Sequence, residues 1–266
     1  MSKQLRIGIN GAAGRMGQRL IALGHEDPAL QITEALEHKG HPDFGKDAGL
    51  VAGIGEIGHV LNDDLDFDLD AVIDFSIPEA AETILDASVK QSVPLVIATT
   101  GLTDEVKEKI EQSASRIPIV FAPSMSLAVN LAMKSCMTIG KSLKDYGPGA
   151  DVEIIERHHR FKEDAPSGTA LRFGELIAEQ MGQESHVHGR SGRPGKRPHG
   201  EIGYHALRTG DNPGEHTIVF GMMGETMELT VRATNRDCYA LGALQAAKFV
   251  AKQQPGLYNM FDVLEL

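Results

Sequence analysis

The stretch Leu5-Arg-Ile-Gly-Ile-Asn10, followed directly by Gly11-Ala-Ala-Gly-Arg-Met-Gly17, decides the fold of this chain. The first six residues are typical of a buried strand, and apolar residues at helical spacing follow the glycines. Strand, glycine turn and helix in this order are the context that a dinucleotide-binding loop requires. The spacing G-x-x-G-x-x-G predicts a tight turn at Gly11, close approach of backbone to a pyrophosphate at Gly14, and close helix–strand packing at Gly17.

An acidic residue lies where such a loop needs one. A second strand is predicted over Leu30-Gln-Ile-Thr-Glu-Ala-Leu36, and Glu37 follows it, 20 residues beyond Gly17. At this distance an acidic side chain accepts a hydrogen bond from the 2′-hydroxyl of the adenosine ribose. The glycines alone could mark an ordinary turn, but together with Glu37 they predict nucleotide binding.

Strands and helices continue to alternate up to about residue 126. Such alternation predicts an α/β domain with a parallel sheet, whose ligand lies at the carboxyl ends of the strands. The glycine-rich stretch 45–58 is predicted to be a loop. The further strands are predicted at 71–75, 95–98 and 117–121, and the helices at 78–91 and 103–115.

The pattern then changes to that of an α+β region with a mixed or antiparallel sheet. One long amphipathic helix is predicted from residue 127 to 146, and Asp237 is expected to cap a final helix over 239–253. Between them the sequence predicts strands at 152–156, 202–207, 216–220 and 227–233, and a helix at 167–181.

The chemically densest stretch is Glu153-Ile-Ile-Glu-Arg-His-His-Arg-Phe-Lys-Glu-Asp-Ala-Pro-Ser-Gly-Thr-Ala170. Ser167 is a good N-cap, so the N–H groups of Gly168 and Thr169 would stand at the positive end of a helix, where anions bind. Basic side chains beside them would suit a substrate that carries carboxylates. A solvated charged loop is the alternative.

Residues 156–170 resemble the motif E-x-H-H-x-x-K-x-D-A-P-S-G-T-A of bacterial 4-hydroxy-tetrahydrodipicolinate reductases (dihydrodipicolinate reductases). The similarity extends from Gly11 to the C-terminus. Two positions depart from the family pattern, namely Arg157, where a smaller or apolar residue is common, and Ala98, which replaces a glycine. The resemblance implies a Rossmann-like dinucleotide-binding domain of residues 1–126 and 236–266. Residues 127–235 would form an inserted α+β domain with a mixed sheet, for substrate binding and oligomerisation.

The resemblance also implies the reaction, which is NAD(P)H-dependent reduction of a cyclic, unsaturated dicarboxylate to tetrahydrodipicolinate in lysine and diaminopimelate biosynthesis. His158 matches the proton donor, with Lys162 as the second candidate, and His159, Gly168 and Thr169 are assigned to the substrate carboxylates. The residues expected at the cofactor are Gly11, Ala12, Ala13, Gly14, Arg15, Met16, Glu37, His38, Lys39, Ala98, Thr99, Thr100, Ala122, Pro123, Ser124 and Met125.

Both NADH and NADPH are predicted as cofactors. Lys39, or His38 when protonated, could face a 2′-phosphate, and plain surface charge beside a turn is the alternative. Association through residues 127–235 is expected, because three strands there have apolar residues on alternating positions and little sequence is left to cover the sheet. The resemblance implies that the assembly is a homotetramer. Two other functions stay open: another two-domain NAD(P)-dependent dehydrogenase, and a non-catalytic NAD(P)H-binding redox sensor.

Composition narrows the classes of partner. The 266 residues carry a net charge of −11, which disfavours binding to nucleic acid or anionic membranes. There is neither a long apolar run nor a secretion signal at the start, and Cys136 and Cys238 form no Cys-x-x-Cys pair, so a cytoplasmic location is expected. His186-x-His188 suggests a metal site, but no Cys or carboxylate at ligand spacing accompanies it, so none is predicted.

Overall fold

A computed structural model of the chain describes residues 3–64, 68–147 and 149–266. It divides into two compact units, one formed by Met1–Leu127 and Arg236–Glu265 and the other by Ala128–Asn235. The strands are β1 (Leu5–Asn10), β2 (Leu30–Leu36), β3 (Leu61–Asn62), β4 (Ala71–Asp74), β5 (Leu95–Ile97), β6 (Pro118–Phe121), β7 (Asp151–His158), β8 (Ser185–His188), β9 (Glu201–Arg208), β10 (Glu215–Met222), β11 (Glu225–Arg232) and β12 (Gly256–Tyr258). The helices are α1 (Arg15–Glu26), α2 (Ala48–Ala52), α3 (Pro78–Gln91), α4 (Asp104–Ser113), α5 (Leu127–Leu143), α6 (Gly168–Met181), α7 (Asp237–Val250) and α8 (Met260–Val263).

The first unit contains a parallel sheet with the strand order β12-β6-β5-β4-β1-β2-β3. Strand order reverses between β1 and β4, which is where ligands bind in sheets of this kind. The strands are apolar on both faces because helices cover both. Ile73 packs with Leu244 of α7 in one core cluster, whereas Val72 packs with Ile84 of α3 in the other. The parallel α/β architecture predicted from the sequence is therefore confirmed.

The second unit contains a sheet with the strand order β11-β10-β7-β9-β8. Strands β11, β10 and β7 pair antiparallel, whereas β7, β9 and β8 pair parallel, so the sheet is mixed, as predicted. Alternate residues of β7 are buried, beginning at Val152 and Ile154. Helix α6 packs closely on the same face, since a Cβ added to Gly174 would lie 1.7 Å from Oη of Tyr204.

Several short elements were not predicted, and two predictions were wrong. The stretch 45–58 contains helix α2, because the Asp47 side chain accepts hydrogen bonds from Gly49 N and Leu50 N and caps it. Asp237 does not cap the final helix but is its first residue, and its carboxylate pairs with Arg19 Nε at 2.6 Å. Strands β3, β8 and β12 are too short to produce a recognisable alternation in sequence.

Candidate active site

The glycine loop of the first unit has the geometry that its spacing predicts at two positions. Gly11 has φ +77°, and Gly17 lies so close to the loop that an added Cβ would stand 2.2 Å from Gly11 O. Gly14 is the N-cap residue of α1 and supplies no side-chain cap. The first N–H groups of α1 therefore have no partner within the helix, which suits an anion.

Glu37 contacts this loop and also lines a cavity at the carboxyl ends of β1 and β2. Its carboxylate accepts a hydrogen bond from Ala13 N at 3.1 Å and one from His38 N. A cavity of about 410 Å³ is lined by residues that include Gly11, Gly14, Glu37 and His38. These four residues, predicted at the cofactor, thus come together although they derive from two separate segments.

A second cavity of about 350 Å³ shares Glu37 and His38 and adds Lys39 and Asp63. Lys39 is largely exposed, and its Nζ lies 3.1 Å from Asp63 Oδ2. The predicted segments at residues 98–100 and 122–125 follow β5 and β6, and none of their residues lines either of the two cavities. Thr100 and Pro123 are exposed, whereas the other members of the two segments are buried.

A buried carboxylate that sequence reasoning missed connects three strand ends in the same unit. Asp74 Oδ1 accepts hydrogen bonds from Asn10 Nδ2 at 2.8 Å and from the Ser76 hydroxyl, and Oδ2 accepts one from Thr99 Oγ1 at 2.6 Å. Burial raises the pKa of Asp74 above its ordinary value, while the hydrogen bonds oppose the change. The sequence feature that could have indicated this cluster is a polar residue at the end of each of three apolar strands.

In the second unit, strand β7 ends in the His-His pair. His158 is almost completely buried, and its Nδ1 lies 2.6 Å from Glu156 Oε2. Burial lowers the pKa of His158 below its ordinary value, although the Glu156 carboxylate acts in the opposite direction. The T-shaped contact between the rings of His158 and His216, with centroids 5.2 Å apart, extends the cluster across to β10.

The segment after β7 carries the other predicted substrate residues. The backbone N–H of His159 donates to Asn212 O at 2.8 Å, whereas its ring Nδ1 is a buried polar atom without a hydrogen-bond partner. Such an atom is unfavourable unless a ligand satisfies it. Lys162 Nζ lies 2.7 Å from Asp164 Oδ1 and stays partly exposed.

Helix α6 begins as the sequence predicts. Ser167 Oγ accepts a hydrogen bond from Ala170 N at 3.2 Å and so caps the helix. The N–H groups of Gly168 and Thr169 have no partner within the helix, and Gly168 is exposed. The second unit thus combines one buried histidine, a second histidine with an unsatisfied nitrogen, a lysine and a helix N-terminus, which together can bind a carboxylate and exchange a proton.

Two further residues of this cluster were missed from the sequence. Arg208 of β9 donates two hydrogen bonds to the Glu156 carboxylate, and His216 Nε2 lies 3.0 Å from Ser167 Oγ. Burial lowers the pKa of His216 to about 4, with the charge of His158 adding to the effect. Neither residue belongs to a local motif, so only strand pairing could reveal them.

Arg157 and the two histidines considered as metal ligands, His186 and His188, contact protein side chains outside the His-His pair. Arg157 Nη2 lies 2.6 Å from Glu215 Oε2, so its charge is directed at a carboxylate of β10. His186 and His188 stack on Tyr204, and His186 Nδ1 lies 2.7 Å from its hydroxyl. Within residues 3–64, 68–147 and 149–266, no group of three His, Cys, Asp or Glu side chains could hold a metal ion. No helix in these same ranges is long and apolar enough to cross a membrane.

Comparison with known proteins identifies both units. Residues 5–125 match the family model for the dihydrodipicolinate reductase N-terminus, and residues 128–264 match that for its C-terminus. The 4-hydroxy-tetrahydrodipicolinate reductase of Rhodopirellula baltica is 57% identical over 265 residues, covering 96% of this chain and 94% of that protein. The enzyme of the same name from Syntrophotalea carbinolica is 45% identical, with 98% and 99% coverage.

Solved structures agree with this assignment. A dipicolinate-bound dihydrodipicolinate reductase from a Paenisporosarcina species superposes with a TM-score of 0.77 at 25% identity, covering 98% of this chain and 99% of that one. An amine dehydrogenase from Mycobacterium smegmatis gives a TM-score of 0.65 at 11% identity and covers 97% and 96% of the two chains, so it shows a shared fold alone. The resemblance drawn from the motif at residues 156–170 is thereby confirmed, and the chain belongs to the dihydrodipicolinate reductase family.

Proposed function

We propose that this chain catalyses the NAD(P)H-dependent reduction of 4-hydroxy-tetrahydrodipicolinate to tetrahydrodipicolinate, a step in lysine and diaminopimelate biosynthesis. The observation that carries the proposal is the match of both units to one reductase family, together with 57% identity to a protein named for this activity. The dipicolinate in the related solved structure supports a cyclic dicarboxylate as substrate. Dehydrogenases that share only the fold, at 11% identity, offer no comparable support for another substrate.

The first unit is proposed to bind the cofactor through its glycine loop and Glu37. The pyrophosphate would meet the N-terminus of α1, where Gly11 and Gly17 leave no room for a Cβ and so keep the loop tight. Glu37 would accept a hydrogen bond from the adenosine ribose, and Lys39 would face a 2′-phosphate, so both NADH and NADPH are expected to serve. When bound, the nicotinamide supplies the hydride, which no side chain can provide.

The second unit is proposed to hold the substrate carboxylates and to supply the proton. His159 Nδ1, Lys162 and the N–H groups of Gly168 and Thr169 are donors of the kind that a dicarboxylate needs. Loss of the 4-hydroxyl group of the substrate as water gives a conjugated imine. Hydride addition to that imine leaves an enamine, which must gain a proton. His158 is assigned as the donor of that proton, and Lys162 is the second candidate.

The decisive assay follows NADH or NADPH absorbance with enzymatically generated substrate. Loss of a proton donor should lower kcat by roughly 10²–10⁴-fold, whereas loss of a carboxylate ligand should chiefly raise KM. His158→Gln is therefore expected to reduce kcat sharply, His159→Gln to raise KM, and Lys162→Ala to do both. His199→Gln, at an exposed histidine of the same unit, is the control. If neither NADH nor NADPH is oxidised in the presence of the substrate, the reductase function is excluded.

A homotetramer in the cytoplasm is proposed on independent grounds. Ile155 of β7 and Leu207 of β9 remain 39% and 44% exposed on a sheet whose other face is covered by α6. Apolar side chains exposed on an open sheet face favour burial by association. Light scattering at micromolar concentration is expected to give four times the chain mass of 28.7 kDa. A stable monomer would contradict the assembly but leave the reductase assignment intact.

A further inference from the structure

Glu156 is a carboxylate on the apolar face of β7. Alternate residues of this strand are buried, so Glu156 occupies the same face as Val152, Ile154 and His158. Its side chain is completely inaccessible to solvent. An ionised carboxylate in such a position is strongly unfavourable unless it is paired and hydrogen-bonded.

Three N–H donors and one histidine nitrogen compensate this burial, two groups at each oxygen. Oε1 accepts from Ser167 N at 3.0 Å and from Arg208 Nη2 at 2.8 Å. Oε2 accepts from Arg208 Nη1 at 2.7 Å and faces His158 Nδ1 at 2.6 Å. Burial alone would raise the pKa of Glu156, but the hydrogen bonds from Arg208 and His158 outweigh it, so the pKa lies below its ordinary value.

This arrangement determines the tautomer of His158. A carboxylate that is ionised can only accept hydrogen bonds, so His158 Nδ1 must carry the hydrogen that faces Glu156. The second nitrogen, Nε2, is then the atom that gains or loses a proton. In neutral imidazole of the opposite tautomer, Nδ1 would present a lone pair to the carboxylate at 2.6 Å, which is repulsive.

Arg208 and Ser167 connect the same carboxylate to the proposed substrate ligands. Arg208 Nε donates to Lys162 O at 3.2 Å, and its Nη2 donates to Asp164 O, so the arginine ties the loop that carries Lys162 to Glu156. Ser167 N donates to Glu156 immediately before Gly168 and Thr169 at the start of α6. One carboxylate therefore supports both the loop that carries Lys162 and the start of α6.

We propose that Glu156 is the positioning residue of the reductase, which holds His158 in the Nδ1–H tautomer and supports the proton on its Nε2. This inference rests on the proposed function of His158 as proton donor. The other titratable or charged groups around His158 are Lys162 of the following loop, Arg208 of β9 and His216 of β10. Both cations oppose a positive charge on His158, so Glu156 is the group among these that favours it.

The proposal predicts a shift in the pH profile. A proton donor is active below its pKa, so kcat is lost as the pH rises through the pKa of His158. Replacement of an opposite charge at this distance changes a pKa by roughly 1–3 units. Glu156→Gln should therefore move the basic limb of the kcat profile about one to two units towards lower pH. At pH values above the shifted limb, kcat should be about 10–100-fold lower than in the wild type, and at pH values below it kcat should recover.

Matched variants separate this effect from simple loss of structure. Glu153→Gln removes a carboxylate of the same strand, which pairs with Arg190 and Arg197 instead of His158, and should leave the limb at the wild-type pH. The double variant Glu156→Gln/His158→Gln should be no slower than His158→Gln. A kcat lowered equally at all pH values in Glu156→Gln, with the limb unmoved, would overturn the positioning role.

Failure of the underlying assignment has a different outcome. Near-normal kcat in His158→Gln would remove His158 as donor, and absence of wild-type turnover would remove the reductase function. In either case, or if Glu156→Gln does not fold, nitrogen NMR of the wild-type protein labelled at its histidine rings still tests the geometry. His158 is expected as the Nδ1–H tautomer near neutral pH, and the Nε2–H tautomer would refute the inference.

Discussion

Gly174 of helix α6 couples packing of the second unit to its proposed substrate site, and Gly174→Ala tests this coupling. An added Cβ would lie 1.7 Å from Tyr204 Oη and 2.6 Å from Tyr204 Cζ. Nonbonded carbon atoms prefer separations of about 3.5–4.0 Å, so the new methyl group would overlap the ring. Tyr204 is almost fully buried on β9, and its hydroxyl is held by His186 Nδ1 at 2.7 Å.

The expected loss of stability follows from three contributions. Overpacking of this kind destabilises by about 1–3 kcal/mol, and a broken Tyr204–His186 hydrogen bond adds about 0.5–1.5 kcal/mol. Alanine is favoured over glycine inside a helix by about 1 kcal/mol, which opposes both. Gly174→Ala should therefore lower the free energy of unfolding by about 0.5–3.5 kcal/mol.

The functional consequence arises because α6 begins with Gly168 and Thr169. If the helix moves away from β9 to relieve the overlap, the N–H groups proposed to bind a carboxylate are displaced. Displacements near 1 Å at a binding site can cost about 10²-fold, so we expect a smaller shift to raise KM for the substrate about 10-fold. The dissociation constant of NADH, bound by the other unit, should stay unchanged.

Chemical denaturation and steady-state kinetics provide the assay. Gly140→Ala in α5 is the matched control, because its added Cβ would lie 3.3 Å from atoms of Gln180 and Met181 and 3.8 Å from Ile177, and not 1.7 Å from its nearest neighbour. Tyr204→Phe combined with Gly174→Ala removes the atom at 1.7 Å and should restore part of the lost stability. A Gly174→Ala protein with wild-type stability and wild-type KM would refute the reasoning.

Three further predictions concern cofactor preference, pH and the strand-end carboxylate. Lys39→Ala should weaken NADPH binding by about 1.5–3 kcal/mol and leave the affinity for NADH nearly unchanged. Asp63→Asn, which removes the carboxylate paired with Lys39, should strengthen NADPH binding. Equal losses of affinity for both cofactors in Lys39→Ala would contradict this assignment. The pKa of His216 is about 4 in the folded protein, against an ordinary value of 6.5, so the folded state binds fewer protons than the unfolded state and the free energy of unfolding falls as the pH drops from 6.5 to 4. The total fall is about 3 kcal/mol. Denaturant titrations of His216→Gln should show a smaller fall over this pH range than those of the wild type. Asp74 accepts hydrogen bonds from Asn10 and Ser76, which line the cavity of about 410 Å³. Asp74→Asn accepts fewer hydrogen bonds and should raise the dissociation constant of NADH about 10-fold in fluorescence titrations, which corresponds to about one hydrogen bond. Asp70→Asn, just before the same strand, should not raise it, and equal affinities of Asp74→Asn and wild type would count against this role.

Much of the fold follows from interactions that are local in sequence. Pro78 opens α3 and Ser167 caps α6, and both helices begin where these residues predict. The turn at Gly11 needs a positive φ, which glycine adopts without strain, so a strand followed by glycines could be interpreted before any tertiary contact was known. Such features depend on a few neighbouring residues, so a short sequence motif is enough to predict them. The residues assigned to the cofactor and substrate were found in the same way and stay predictions.

The networks beneath the site could not be predicted in this way, because their partners are distant in sequence. Asn10 and Asp74 are 64 positions apart, and Glu156 and Arg208 are 52 apart, yet each pair forms a hydrogen bond across neighbouring strands. Burial periodicity alone predicts apolar residues at such positions, since a charge there is unfavourable without a partner. The sequence by itself determined the strand–glycine–helix start, the α+β character of the second unit and the His-His motif. Only the tertiary structure decided that Glu156 is ionised and holds His158, because strand pairing brings Arg208 and Ser167 to its carboxylate and so makes that buried charge stable.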